Sequence, residues 1–316
     1  MSIIEVKAPG LLTTVQDLGR EGFGPMGVSS SGAADPTALR VGNRLVGNQS
    51  NAAALEMTLL GGTFVFPEGA IIALTGADFE ASLDGAAIPL WTSIEVSAGQ
   101  TLRAGATRSG ARCYLCVCGG IETKPFLGSR STHLLSGLGG YEGRALHKGD
   151  ILQIGLQMEP ATGPFQNRTV SAQALHHFRP RKVLRVTPGP QSDWFPDAAQ
   201  GIFYGSAYQV TEESNRMGLR LQGMPLPGGA VSEMVTEGVS LGAVQIPAAG
   251  LPIILFVEQQ TTGGYPKIAN VISADFSSLG QLRPRDEIRF ERVDWETART
   301  LLIEQETLLA SEDLIV

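Results

Sequence analysis

The sequence predicts a mainly β protein made of two β-barrel-like lobes with a few helices. Its 316 residues exceed the usual size of a single hydrophobic core, so two domains are expected. Its 39 glycines and 18 prolines are typical of many short strands joined by tight turns. The two halves of the chain also share an ordered set of features, which predicts a duplicated unit.

The shared features begin with the similar positions of Ala8-Pro9-Gly10 and Thr187-Pro188-Gly189. Each half then places a glycine pair after its most hydrophobic strand, at Gly119-Gly120 and Gly263-Gly264. In each half, a turn that contains an aspartate comes directly before the last predicted strand. This order of features favours two related barrels over a parallel sheet.

The predicted lobes occupy 1–155 and 182–316, and a linker at 156–181 joins them. Terminal segments of duplicated barrels can cross over from one lobe to the other. In the first lobe, a helix begins at Asp35-Pro36, an N-cap followed by proline, and ends at Gly47-Asn48. The first-lobe strands are predicted at 3–6, 54–59, 63–66, 71–75, 80–83, 94–96, 101–104, 112–117 and 151–154.

The second lobe is predicted to contain further strands and one long helix. The helix runs from Trp295 to Leu309 and has a mostly apolar face. The segment 253–257 is an unbroken β-branched and aromatic run, which is typical of a strand buried on both faces. The other strands are predicted at 183–187, 208–211, 218–221, 241–246 and 287–290.

The composition excludes several classes of function. The chain is 43% hydrophobic and 17% charged, which is typical of a globular protein. A net charge of −7, without a basic run interleaved with aromatics, argues against a nucleic-acid partner. No apolar run reaches membrane-spanning length, and Met1-Ser2-Ile3-Ile4-Glu5 does not resemble a signal peptide. A cytoplasmic protein without a membrane partner is therefore expected.

Three cysteines, Cys113, Cys116 and Cys118, lie in one predicted strand. Their C-x-x-C-x-C spacing raises the question of a metal site. Because side chains alternate along a strand, Cys116 and Cys118 share one face while Cys113 points to the other. No second Cys or His cluster supplies further ligands. Buried structural thiols and no metal site are therefore predicted.

The densest polar segment of the chain follows the predicted strand at 253–257. From Gln259 to Lys267 it carries two amides, two hydroxyls, a glycine pair, a phenol and an ammonium. The glycines let the backbone approach a ligand closely, and Pro266 fixes the exit from the loop. An ordinary polar turn is the alternative, but this density of donors favours a binding loop.

Three further polar clusters each bring an arginine together with hydroxyl or amide neighbours. They are Gln16-Asp17-Leu18-Gly19-Arg20, Gly128-Ser129-Arg130-Ser131-Thr132 and Ser214-Asn215-Arg216-Met217-Gly218. Taken singly, each arginine is typical of a surface or ion-pair residue. Taken together, they predict a site for an oxyanion or phosphoryl group, because guanidinium groups bind such anions in a bidentate way.

Several common catalytic and nucleotide motifs are absent from the sequence. There is no G-x-x-x-x-G-K-[ST] phosphate loop, no G-x-S-x-G elbow and no H-E-x-x-H motif. The run Gly137-Leu138-Gly139-Gly140-Tyr141-Glu142-Gly143 has the wrong spacing for a dinucleotide fingerprint, and no helix is predicted after it. None of the four histidines adjoins a convincing nucleophile, so a Ser-His triad is excluded.

Three more segments complete a recognisable pattern: Ser31-Gly32-Ala33-Ala34-Asp35, Asn43-Arg44-Leu45-Val46-Gly47-Asn48 and Leu55-Glu56-Met57-Thr58. With the four polar clusters, they resemble the allophanate-hydrolase-subunit-2-like, or biotin-dependent-carboxyltransferase-like, family. That family includes the C subunit of ATP-dependent 5-oxoprolinase, the kinase-inhibitor antagonist and half of the carboxyltransferase domain of urea carboxylase. The sequence departs from the family pattern at Glu258-Gln259, where Asp-Arg is common, and at Thr236, where Ser is usual.

The resemblance implies two cyclophilin-like barrels with a cleft between them. It also implies two partner proteins, a subunit-1-like protein (the B subunit of 5-oxoprolinase) and a lactam-utilisation-like protein (its A subunit). The chain has no biotin-attachment or ATP-grasp signature, so it is not expected to carboxylate biotin itself.

The resemblance leaves three functions open. The first is ATP-dependent opening of the 5-oxoproline lactam to glutamate, with ATP and Mg held by this chain or by one of its partners. The second is a carboxyltransferase half-site that passes a carboxylate from carboxybiotin to urea or a related amide. The third is a non-catalytic antagonist of a kinase inhibitor. A chain without a biotin domain favours the first function over the second.

For the first function, the loop at 260–267 is expected to converge with the arginine clusters. Lys267 and Arg216 would supply positive charge, and Asp17 or Glu237 would accept a proton; these four form the predicted catalytic group. The predicted substrate-binding residues are Gln16, Arg20, Arg130, Asn215, Gln260, Thr261, Thr262, Gly263, Gly264 and Tyr265. Replacing either catalytic cation with alanine is expected to lower turnover roughly ten- to a hundredfold and to leave folding nearly unchanged, as for a solvent-lined cleft.

Overall fold

The computed structural model describes residues 2–156, 166–227 and 234–316. Their contacts divide the chain into two compact, mostly β units, which agrees with the predicted fold class. Unit 1 contains Met1–Arg20, Ser31–Phe178 and Leu308–Val316, and unit 2 contains Glu21–Ser30 and Arg179–Thr307.

Unit 1 is built from two antiparallel sheets. In the described residues its strands are β1 (Ile3–Ala8), β2 (Leu12–Gln16), β3 (Ala54–Thr58), β4 (Thr63–Val65), β5 (Ala70–Asp78), β6 (Ser82–Leu83), β7 (Ala86–Ala87), β8 (Ser93–Val96), β9 (Thr101–Arg103), β10 (Ser109–Val117), β11 (Ile121–Glu122) and β12 (Ile151–Ile154). The larger sheet has the order β11-β12-β1-β4-β9-β6-β7, and the smaller has the order β2-β3-β10-β5-β8.

Apolar side chains from both sheets form the core of unit 1. Leu55, Phe64 and Leu115 are fully buried members of this cluster. Burying one such side chain contributes about 1.5–3 kcal/mol to the free energy of folding. The core therefore depends on the alternation of apolar residues that the sequence shows at 54–59 and 112–117.

Helix α1 (Pro36–Leu45) packs on the opposite face of the smaller sheet, where Leu39 and Leu45 contribute to a second apolar cluster. Its start agrees with the prediction, because an Asp35 carboxylate oxygen accepts a hydrogen bond from the Ala38 N–H at 2.9 Å. Gly42 faces the sheet so closely that a Cβ atom there would stand 2.6 Å from Cys116 Sγ. Only glycine allows this approach of helix and sheet.

The cysteines follow the predicted alternation. Cys113 belongs to the core between the sheets, whereas Cys116 belongs to the cluster beneath α1. Burial raises the pKa of both thiols well above the ordinary value. The prediction that the two thiols lie buried on opposite faces of the strand is confirmed.

A buried hydrogen-bond network explains why two of the recognised segments occur together. Glu56 accepts hydrogen bonds from the Tyr114 hydroxyl at 2.6 Å and from the Ala34 N–H at 2.8 Å. The Tyr114 oxygen accepts a bond from the Asp35 N–H at 2.8 Å. The network anchors the chain just before α1 to the sheet below it, so these segments have a structural role.

Unit 2 contains a closed barrel of seven strands and a separate two-stranded ribbon among its described residues. The barrel strands are β13 (Val183–Pro188), β14 (Tyr208–Val210), β15 (Gly218–Gln222), β17 (Ala243–Gln245), β18 (Ile253–Leu255), β20 (Lys267–Val271) and β21 (Glu287–Arg292), and the ribbon strands are β16 (Glu237–Gly238) and β19 (Thr262–Gly263). The barrel order is β13-β20-β17-β18-β15-β14-β21, and the parallel pairing of β13 with β21 closes it. This barrel agrees with the prediction for the second lobe.

The remaining helices are α2 (Ala172–His177), α3 (Asp197–Gly205), α4 (Phe276–Gly280) and α5 (Trp295–Ala310). The first three were not predicted, because each is short and has little apolar periodicity. Helix α5 has the predicted start, but only Leu309 is buried among its residues and Trp295 is 65% exposed. None of the helices in the described ranges combines the length and apolar character needed to cross a bilayer.

The ends of the two units differ from the predicted lobe limits. Part of the predicted linker, 157–165, lies outside the described residues. The following part packs into unit 1, where Val170 forms a β-bridge with Ile315 and Ser171 caps helix α2. The segment Leu308–Val316 also belongs to unit 1, because Leu309 and Leu314 insert into its second apolar cluster.

A bidentate ion pair fixes the turn before β12. The Asp150 carboxylate accepts hydrogen bonds from Arg144 Nη1 at 2.7 Å, from Arg144 Nη2 at 3.0 Å and from the His147 N–H at 2.7 Å. The bonds from Arg144 hold the pKa of Asp150 below its ordinary value of 3.8. Such a carboxyl stabilises the folded state above its unfolded pKa, and this contribution is lost as the pH falls through the lowered folded pKa.

We expect the substitution Asp150→Asn to lower the free energy of unfolding by about 1.5–3 kcal/mol near neutral pH, because hydrogen bonds to a charged group are lost. The difference between the two proteins should shrink at about pH 3, where the unfolded carboxyl is mostly protonated. Urea unfolding of the wild-type and Asp150→Asn proteins, near neutral pH and at about pH 3, measures this difference in stability. An equal difference at both values would contradict the assignment.

Candidate functional site

The ribbon of unit 2 brings several predicted site residues to the start of β20. In the pairing of β16 with β19, Glu237 lies opposite Gly263 and Gly238 lies opposite Thr262. The Val239 N–H also donates to the Thr261 carbonyl at 3.1 Å. Strand β20 begins at Lys267, four residues after β19 ends at Gly263. The ribbon therefore places Glu237 beside the Lys267 side chain.

Lys267 and Glu237 form an ion pair with one buried end and one accessible end. Lys267 Nζ lies 2.6 Å from Glu237 Oε1 and donates to the Tyr265 carbonyl at 3.4 Å. The lysine side chain is 3% exposed, whereas that of Glu237 is 43% exposed. The pair therefore presents a negative charge to solvent and holds a positive charge behind it.

Gln191, which the sequence analysis did not name, joins this pair. Its Nε2 donates to Glu237 Oε1 at 2.8 Å, and its Oε1 accepts from the Lys267 backbone N–H at 3.1 Å. The hydrogen bonds from Lys267 and from Gln191 lower the pKa of Glu237 below its ordinary value of 4.5. Glu237 is thus ionised at neutral pH. The only sequence signal for Gln191 was its place after the Pro188-Gly189 turn.

Gln245 is a second residue that the sequence analysis missed. It lies opposite Lys267 in the pairing of β17 with β20, so the two side chains share one face. Gln245 is 2% exposed, and its Nε2 has no hydrogen-bond partner in the described part of the chain. A Cβ atom on Gly263 would stand 2.5 Å from that nitrogen, so a larger residue there would force the Gln245 amide to move. The sequence signal that could have identified Gln245 is its place as a polar residue at the end of an otherwise apolar strand.

The rest of the predicted loop is mostly accessible. Gln260, Thr262, Gly264 and Tyr265 are exposed, Thr261 is half-buried and Gly263 is buried. Because Gly263 pairs with Glu237, the exposed polar side chains of this loop lie near the Glu237–Lys267 pair.

Arg216 is placed differently from the prediction. Its Nε lies 2.5 Å from Glu258 Oε1, and the two side chains are 6% and 1% exposed. The expectation of a solvent-lined arginine is therefore wrong, because a buried carboxylate holds the guanidinium. The neighbouring Asn215 is exposed, and its Oδ1 accepts from the Met217 N–H at 2.8 Å, which shapes the turn before β15.

The predicted residues of unit 1 gather around the loop 128–132. The Asp17 carboxylate accepts hydrogen bonds from the Gly19 N–H at 2.8 Å, the Ser129 hydroxyl at 2.7 Å, the Arg130 N–H at 2.6 Å and the Ser131 hydroxyl. With four donors on a carboxylate that is 7% exposed, Asp17 organises the loop. Of the two predicted proton acceptors, Glu237 is the accessible one.

Gln16 and Arg20 are both buried against the same loop. Gln16 Nε2 donates to the Thr14 hydroxyl at 3.0 Å and to the Thr132 carbonyl at 3.1 Å. Arg20 is 2% exposed, donates to the Ser131 carbonyl and lies over the Phe126 ring at 5.6 Å. Both side chains therefore position backbone around Arg130.

Arg130 is the accessible cation of this group. Its side chain is 35% exposed, and its Nη2 lies 2.6 Å from Glu122 Oε1. Arg130, Glu122 and Asp17 line a cleft of about 260 Å³ in unit 1. A guanidinium at the wall of a polar cleft suits the carboxylate of a small molecule.

Unit 1 thus brings together Gln16, Asp17, Arg20 and Arg130. Unit 2 brings Glu237 and Lys267 together with the loop 260–265, whereas Arg216 forms a buried ion pair with Glu258. Convergence of the two groups stays a prediction. Over the described ranges, the structure has no group of three or more His, Cys, Asp or Glu side chains that could hold a metal ion.

Comparison with known proteins gives consistent results. Residues 26–292 match the family model described as "Carboxyltransferase domain, subdomain A and B". The chain is 42% identical to the 5-oxoprolinase C subunit of Escherichia coli, over 94% of this chain and 93% of that protein. It is 37% identical to the 5-oxoprolinase C subunit of Haemophilus influenzae, over 98% of this chain and 96% of that protein.

A solved structure, the urea amidolyase of K. lactis, has the same fold over nearly the whole chain. The TM-score is 0.88 at 32% identity, and the match covers 99% of this chain but 21% of the urea amidolyase chain. The chain therefore corresponds to about a fifth of that larger protein.

Proposed function

Because this chain belongs to the carboxyltransferase-domain family of subdomains A and B, we propose that it is the C subunit of a 5-oxoprolinase, a hydrolase that opens the lactam of 5-oxoproline to glutamate. The observation that carries this proposal is the higher sequence identity to the E. coli C subunit, 42% over 94% of this chain, than to the K. lactis urea amidolyase, 32% over 99% of this chain.

The chemistry of the unit 2 site is compatible with this reaction. An amide is a poor electrophile, and negative charge develops on its oxygen when the ring opens. A fixed cation that faces that oxygen lowers the energy of the transition state. Lys267 is the cation we assign to this role, because Glu237 and the Tyr265 carbonyl already hold its ammonium in one position.

Glu237 has the second role in this proposal. Its lowered pKa keeps it ionised at neutral pH, and its accessible side chain faces the loop where substrate would enter. We assign two roles to Glu237: it orients the Lys267 side chain, and it accepts a proton from water or substrate. We assign Asp17 a positioning role instead, because four donors occupy its carboxylate.

The sequence has no G-x-x-x-x-G-K-[ST] phosphate loop that would hold the phosphates of ATP. We therefore place the nucleotide on a partner protein. The related proteins are named as subunits, which supports membership of a multi-protein complex. We propose the subunit-1-like and lactam-utilisation-like proteins as partners, in the cytoplasm.

A carboxyltransferase half-site is the second candidate, because the fold matches urea amidolyase closely. In that reaction, Lys267 or Arg130 would hold the carboxylate that passes from carboxybiotin to urea. The third candidate, an antagonist of a kinase inhibitor, would need neither cation.

The test is turnover by the complex co-expressed with both partners. We expect glutamate and ADP to form when 5-oxoproline and ATP are supplied, and we expect the purified chain alone to be inactive. Consumption of urea with carboxybiotin, without reaction of 5-oxoproline, would instead establish the second candidate. Robust 5-oxoproline turnover by the lone chain would contradict the proposed division of labour within the complex.

A further inference from the structure

We infer that Gln191 is a positioning residue for the proposed reaction, because its amide fixes Lys267 and Glu237 with respect to each other. This inference rests on the proposed function for its kinetic consequences but not for its structural ones. The residue contacts the backbone of the cation and the side chain of the anion at the same time.

The turn that carries Gln191 is docked on β20 by backbone contacts. The Gly189 N–H donates to the Ile268 carbonyl at 2.9 Å, and the Gln191 N–H donates to the Lys267 carbonyl at 3.3 Å. A Cβ atom on Gly189 would stand 2.3 Å from the Lys267 oxygen, so only glycine permits this approach. The backbone of Gln191 is therefore fixed to the strand that supplies the cation.

The side chain of Gln191 then has one arrangement that uses both ends of its amide. The Lys267 backbone N–H needs an acceptor, which selects the oxygen, and the Glu237 carboxylate needs a donor, which selects the nitrogen. Gln191 is 6% exposed, so water does not compete freely for either bond. An amide presents a donor and an acceptor in one neutral group, and glutamine has the reach shown here.

The charged surroundings of Glu237 are simple. Lys267 from β20 and Gln191 from the turn after β13 are the groups that act on its carboxylate in the described part of the chain. The paired strand β19 presents Thr262 and Gly263, which do not titrate near neutral pH. Removal of Gln191 therefore leaves Lys267 alone to hold the carboxylate, and the Glu237 pKa should rise toward its ordinary value.

The test compares Gln191→Met with Gln200→Met. Methionine keeps the length of the side chain and removes both hydrogen bonds. Gln200 is a matched control in the same segment, because its amide donates to the Ser192 carbonyl at 3.2 Å and to the Phe195 carbonyl at 3.1 Å without contacting Glu237. Each variant loses two hydrogen bonds of a glutamine amide, so a purely structural effect should appear in both.

In the complete complex, Gln191→Met should lower kcat for 5-oxoproline about tenfold near neutral pH and shift the acid limb of the pH profile to higher pH. Gln200→Met should leave the position of that limb unchanged. In addition, selective carbon-13 labelling of glutamate allows the Glu237 titration to be followed by NMR in the purified chain, with Glu237→Gln to assign the signal.

The two readouts separate the inference from the proposed function. A raised Glu237 pKa in Gln191→Met, with no 5-oxoproline turnover by the wild-type complex, would support the positioning role and contradict the function. An unchanged Glu237 titration would overturn the inference whatever the complex does. A wild-type complex that is active, with a pH profile that Gln191→Met does not move, would also overturn it.

Discussion

Replacing Arg216 with methionine is expected to lower the free energy of unfolding of the chain by about 3–5 kcal/mol. The substitution removes the guanidinium that balances the charge of buried Glu258, whose side chain is 1% exposed. Loss of one partner of a buried ion pair leaves a charge that water cannot reach. Urea unfolding of the purified chain measures the effect.

The control is the double substitution Arg216→Met with Glu258→Gln. Removing both charges should recover much of the lost stability, because the uncompensated carboxylate is gone. If the double variant were less stable than Arg216→Met alone, the two side chains would not act as a pair. A stability loss below about 1 kcal/mol in Arg216→Met would show that the pair is effectively solvated.

Replacing Lys267 with methionine is expected to lower turnover of the complex roughly ten- to a hundredfold, because the charge-assisted hydrogen bond that we propose from Lys267 to the reacting oxygen would be lost. Its effect on stability should be smaller than that of Arg216→Met. The partner of Lys267 is Glu237, which is 43% exposed and can turn its charge toward water. Turnover of 5-oxoproline and urea unfolding of the same variant give the two values.

Lys182→Met is a suitable control for Lys267→Met. Lys182 is also paired with a carboxylate, at 2.6 Å from Asp286, but its side chain is 53% exposed and it lies outside the proposed site. We expect wild-type turnover in this variant. Full activity of Lys267→Met, with the fold intact, would place the catalytic cation elsewhere.

The contrast between Arg216 and Lys267 shows where sequence reasoning succeeded and where it stopped. Both cations belong to polar segments next to predicted strands, so the sequence predicted the same role for both. Only the fold reveals that Glu258 is buried against Arg216, whereas Glu237 arrives from a ribbon that is distant in the chain. Pairings between such distant residues leave no local pattern.

Local patterns did predict the parts of the fold that depend on local physics. The α1 start was predicted because the Asp35 cap and Pro36 act within one turn of the helix. Strand β2 was not predicted, because Thr13, Thr14 and Gln16 are buried polar residues that do not alternate with solvent-facing ones. Their hydrogen bonds to Pro9 and to the loop 128–132 replace the missing apolar pattern.

The segment Leu308–Val316 has a consequence for how the protein is made. Unit 1 contains this segment, whose Leu314 is fully buried and whose Leu309 and Ser311 carbonyls accept hydrogen bonds from Arg44. During synthesis, the ribosome delivers these residues only after all of unit 2. The apolar surface of unit 1 that this segment covers therefore stays exposed until translation has passed through unit 2.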